Sequence, residues 1–126
     1  MPDMNRPLSP HVGIYKWQVS NTLSILHRMT GIALSGGALA LLAWVISAAI
    51  DEATFNFVTE LLSGWIGMLL LFGFSASFFY HLGSGVRHLF WDAGYGFDKD
   101  FARLSGWVTL VAAISLTALF WLGVMA

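Results

Sequence analysis

His81 carries an imidazole set well inside a long apolar run, six residues before Arg87 or about 9 Å along a helix at ~1.5 Å per residue. An ionisable ring at that depth acts as a proton relay, a metal ligand or a substrate contact, or else it hydrogen-bonds to a neighbouring helix. At 3.6 residues per turn, Gly73, Ser77, His81, Ser84, Gly85 and His88 fall within about a third of the helix circumference. Such a face could accept a flat macrocycle, with the imidazole as axial iron ligand and with Arg87 and His88 at the rim to meet anionic propionates. It could equally admit another helix. If an iron here takes two histidines, the second comes from another chain, because no other histidine lies as deep. His27 and His88 sit near the boundary and suit propionates better.

A second cluster opens the first apolar run. Ser20 or Asn21 can cap a helix there, and Ser24, His27 and Arg28 then recur at i, i+3 and i+4 on one face. A hydroxyl and a guanidinium at a membrane boundary supply what a quinone carbonyl needs: a hydrogen bond to its oxygen and support for negative charge as electrons arrive. The alternative is boundary decoration, with Arg28 reaching lipid phosphates and Ser24 bonded to its own helix.

The elements that position these residues follow from composition. A 57% hydrophobic share with 10% charged residues makes lipid the expected solvent. A formal net charge of −1 offers no electrostatic case for nucleic acid. The chain has no cysteine, which excludes disulfides, thiolate zinc sites and iron–sulfur clusters held by this chain. The residues before the first apolar run include Asp3, Pro7, Ser9 and Pro10, and resemble neither a secretory signal nor a transit peptide.

Three charge-free stretches, Met29 to Ile50, Leu61 to Val86 and Leu104 to Ala126, each reach the ~20 residues needed to cross the hydrocarbon core. The expected fold is therefore all-α, a single membrane domain over 1–126 with spans near 22–50, 61–87 and 104–126 and an N-terminal segment over 1–20. Asp51 to Glu60 reads as a short joint between the first two spans. Gly31 and Ser35, then Gly36 and Ala40, are spaced to let a neighbouring helix approach closely. Arg6, Lys16 and Arg28 precede the first span, and Arg87, Lys99 and Arg103 lie between the second and third. These six are all the basic residues, so the positive-inside rule places the N-terminus and the second loop in the cytoplasm.

The same residues occur in longer strings: Arg6-Pro-Leu-Ser-Pro-His-Val-Gly-Ile-Tyr15, Ser24-Ile-Leu-His-Arg-Met-Thr-Gly31, and His81-Leu-Gly-Ser-Gly-Val-Arg-His88 followed by Leu-Phe-Trp-Asp92. Taken in order along most of the chain, they resemble the cytochrome b anchor subunit of succinate dehydrogenase. The third span carries no such motif. The resemblance implies a haem b with His81 as one axial ligand and the other supplied by a second small membrane subunit. It further implies Ser24 and Arg28 at the ubiquinone site, with His27, Arg28 and His88 near the haem propionates. The N-terminal string would lie along an iron–sulfur subunit, beside a flavoprotein subunit that oxidises succinate. A bacterial inner membrane is the expected location, ahead of a mitochondrial inner membrane. A haem-free structural anchor, or a small proton-conducting subunit using His81 as a relay, accounts for the hydropathy but not for the strings.

Overall fold

A computed structural model describes residues 11–14 and 16–126. Most of the N-terminal string, with Arg6 and Tyr15, lies outside the described residues; His11–Ile14 form one 3-10 turn. Four helices follow: α1 (Val19–Ile50), α2 (Glu52–Ser63), α3 (Trp65–Asp92) and α4 (Lys99–Met125). Among the described residues there is no strand. α1, α3 and α4 are the three long apolar helices able to cross a membrane.

The helix bounds differ from those of the charge-free stretches, because a helix need not begin or end where the hydrocarbon does. α3 starts at Trp65 rather than at Leu61, and α4 starts at Lys99, five residues before Leu104. The joint over Asp51 to Glu60 is mostly helix. Asp51 caps α2 by accepting a hydrogen bond from the Thr54 backbone N–H at 2.7 Å. That amide, above all, holds the Asp51 carboxylate below its usual range. The cap is therefore complete above the ordinary carboxylate value and is lost as pH falls through the lowered one. Gly64 separates α2 from α3, its N–H donating to Glu60 O at 3.0 Å.

α3 closes in a Schellman motif: Gly94 N–H donates to Trp91 O and Tyr95 N–H to Phe90 O, with Gly94 at φ 88°, a conformation glycine adopts freely. Asp98 then caps α4 through the Asp100 and Phe101 amides. The turn brings α4 back antiparallel to α3, and the contacts of Gly31 with His81 and of Gly37 with Phe74 show that α1 and α3 are antiparallel too. The result is an up-down-up arrangement.

The core is thin, with Leu23, Tyr80 and Ala113 as its buried apolar residues. In the most apolar windows of the three spans only 6%, 11% and 11% of residues are buried within the chain, so most of each span is left for lipid or for partner helices. Hydroxyls in the spans bond back to their own helices, as Ser75 Oγ does to Phe72 O and Thr117 Oγ1 to Ala113 O. Between helices, Tyr80 Oη donates to Leu23 O at 2.8 Å and Trp121 Nε1 to Ser75 Oγ at 2.8 Å.

Candidate functional site

The antiparallel register of α1 and α3 brings His27, His81 and His88 together. The His27 ring is stacked on His81 at 4.0 Å between centroids and on His88 at 5.0 Å, so it sits between the other two. His81 Nδ1 lies 3.1 Å from the His27 carbonyl oxygen, which can only accept; Nδ1 therefore carries the proton. Thr30 Oγ1 stands 3.2 Å from the same nitrogen while donating to the carbonyls of Leu26 or His27. That tautomer makes His81 Nε2 the lone-pair nitrogen, the form required of a neutral imidazole ligand. His88 donates from Nδ1 to Ser84 O at 2.7 Å.

Gly31 makes the packing of His81 possible. A Cβ there would stand 3.1 Å from His81 Cε1 and 3.7 Å from Nδ1. Gly31→Val adds branched bulk against the ring and is expected to push it off the His27 carbonyl, at a cost of about 1–3 kcal/mol for overpacking. On the haem expectation of the sequence, bound haem should fall well below wild type, with Gly31→Ala intermediate. A Val variant with full haem content and an unshifted spectrum would remove this glycine from the site. On α3 itself, a Cβ at Gly73 or Gly85 would meet nothing within 4 Å, so part of the small-residue face around His81 is open surface of this chain.

His27 Nδ1 is buried and, among the described residues, has no hydrogen-bond partner. Beside it, Ser24 and Arg28 are exposed on α1, and neither makes a hydrogen bond or ion pair with the described residues. The 590 Å³ cleft at this end of the bundle is lined by Trp17, Leu23, Phe97, Lys99 and Arg103 among others, not by Ser24 or Arg28. A pocket around that pair needs walls from outside the described residues.

Arg87 does not meet the imidazoles. It is 9% exposed, with Nε donating to Ser105 Oγ at 3.0 Å and a terminal nitrogen donating to Ala102 O at 2.7 Å. Its guanidinium lies 4.1 Å from the Trp91 ring centroid. It ties α3 to α4, and the expectation that it joins His88 at a propionate rim gives way to that role. The signal lay in Arg87 and Trp91, four apart on α3, a spacing that lets the guanidinium lie over the indole. Thr30 and Tyr80 carried no readable signal, since their roles depend on contacts across helices.

A family described as succinate dehydrogenase/fumarate reductase transmembrane subunit matches residues 2–120. The chain is 48% identical over 116 residues to the succinate dehydrogenase cytochrome b556 subunit of Rickettsia prowazekii, covering 92% of this chain and 90% of that one. With the subunit of the same name from Paracoccus denitrificans it shares 35% over 115 residues, 91% and 88% of the two chains. With the mitochondrial cytochrome b560 subunit of Sus scrofa it shares 39% over 115 residues, 87% of this chain and 66% of the relative.

Proposed function

The chain belongs to the family of succinate dehydrogenase/fumarate reductase transmembrane subunits, and on that premise we propose how its residues serve the complex. It is a cytochrome b membrane anchor subunit of complex II, and flavoprotein and iron–sulfur subunits are its partners. Having no cysteine, it leaves the iron–sulfur clusters to those other chains. Its own contribution is to hold a haem b and to form part of a ubiquinone site.

The observation that carries this reading is His81, with Nδ1 tied to α1, Nε2 as the lone-pair nitrogen and an open small-residue flank at Gly73 and Gly85. The donor set fits a haem. His81 would ligate the iron through Nε2, while His27, whose buried Nδ1 lacks a partner among the described residues, the exposed Arg28 and the half-buried His88 would meet the propionates. Stacked face to face on His81 at 4.0 Å, His27 would stand beside the iron ligand and not share the iron with it, and a second small membrane subunit would supply the other histidine. When bound, haem b supplies a one-electron reservoir close to the quinone.

Ser24 donates to a quinone carbonyl, and Arg28 supports negative charge that builds on the reduced ring. Protons for the reduced ring would come from water at the membrane boundary. A proton-conducting role for His81 is less well supported, because its Nδ1 proton is already committed to the His27 carbonyl. The complex purified in detergent should show b-type haem bands that sharpen on adding succinate, with partner subunits identified by mass; a purified complex without a Soret band would leave only the structural anchor.

All six basic residues flank one side of the spans, which supports a cytoplasmic N-terminus in a bacterial inner membrane. In intact cells, a cysteine at Glu52 should react with an external maleimide and one at Lys99 should not; the opposite pattern reverses the topology.

A further inference from the structure

α2 is 12 residues long, about 18 Å, too short for a membrane span of ~30 Å. Its depth follows from the register of its neighbours. Gly37 of α1 lies against Phe74 of α3; from that level α1 continues thirteen residues to Ile50, while α3 begins nine residues away at Trp65. The two ends joined by α2 thus differ in depth by about four residues, or ~6 Å. A helix about 18 Å long that spans ~6 Å of depth runs mainly across the end of the bundle, in the plane of the membrane surface.

Its faces suit that position. Phe55, Val58, Thr59 and Leu62 are half-buried and turned to the bundle, where Trp44 Nε1 donates to Thr59 Oγ1 at 3.1 Å and the Trp44 and Phe55 rings are 5.6 Å apart. At 100° per residue, Glu52, Asn56, Glu60 and Ser63 share a second, polar arc. Phe57 and Leu61 form a third, 68% and 65% exposed. Ile50 at the end of α1 and Trp65 at the start of α3, which flank α2 in the chain, are 62% and 79% exposed as well. Trp44, Phe55, Phe57 and Trp65 gather at this level as aromatic side chains do at a bilayer boundary.

We propose that α2 is an interfacial helix, seated in the bilayer surface with Phe57 and Leu61 against acyl chains and with Glu52, Asn56 and Glu60 in the headgroup water. It sets how deep the α1–α3 pair sits. The helix and its cap carry Asp51, Glu52 and Glu60 and no basic residue, so its headgroup partners are zwitterionic lipids bearing an amine rather than anionic ones. The proposal does not depend on the haem or the quinone.

The test uses the intact complex in phosphatidylethanolamine-containing nanodiscs, with single nitroxides on cysteines at Asn56, Phe57, Glu60 and Leu61; this chain has no native thiol, and the unsubstituted complex gives the partners' background. Collision rates with oxygen, which concentrates in the acyl region, and with a water-soluble nickel chelate are read by power saturation. Oxygen should dominate at 57 and 61 and the chelate at 56 and 60, a reversal between adjacent residues. Exclusion of both reagents at 57 and 61 would mean that a protein subunit covers this arc. Chelate dominance at all four positions would place α2 in water. Either result overturns the proposal and leaves the haem assignment standing.

Discussion

Arg28→Leu is expected to lower succinate–quinone reductase activity by a hundredfold or more, and Ser24→Ala by about ten- to a hundredfold. Loss of one hydrogen bond in a closed site costs about 1–3 kcal/mol, with each ~1.4 kcal/mol a factor of ten in rate, which gives the serine's range. Arg28 should matter more because its charge acts on the anion that forms during reduction, and charge-assisted donors are roughly twice as strong as neutral ones. Both side chains are exposed on one face of α1 and unengaged by the described residues, so they are available to a quinone or a partner without breaking an internal contact. Neither substitution should unfold the chain for the same reason. Succinate oxidation measured with an artificial acceptor should stay at the wild-type rate, since that reaction bypasses the membrane. Assembled variants with wild-type quinone kinetics would return both residues to boundary decoration and assign the pocket to the partner chains.

The three long apolar helices were legible because charge-free length is a direct physical requirement of the bilayer. The stack of His27, His81 and His88 was not legible. It depends on the register of α1 against α3, which is set by the fit of Gly31 to His81 and of Gly37 to Phe74, neither of which a single helix's periodicity contains. Arg87 is held by α4, and its position next to His88 in the chain hid a difference of about 100° around the helix. α2 was overlooked because Leu61 and Leu62 extend the apolar run of the following span. Asp51, three residues before the Thr54 amide it caps, and Gly64 were the signals that separated it.

His81→Leu is expected to abolish low-spin bis-histidine haem b, through loss of binding or conversion to a high-spin, five-coordinate form. Leucine is apolar and close in volume, so the α1–α3 contact should survive, although the His27 carbonyl loses the His81 donor and keeps the Thr30 hydroxyl. Some quinone reductase activity can persist if electrons reach the quinone directly from the iron–sulfur subunit, so activity is the weaker readout. The decisive measurement is the reduced-minus-oxidised visible spectrum, with low-temperature electron paramagnetic resonance, of the His81→Leu complex purified with all its subunits. Loss of the low-spin signals at wild-type subunit stoichiometry is the predicted result, and an unchanged bis-histidine spectrum would contradict the assignment of His81 to the iron.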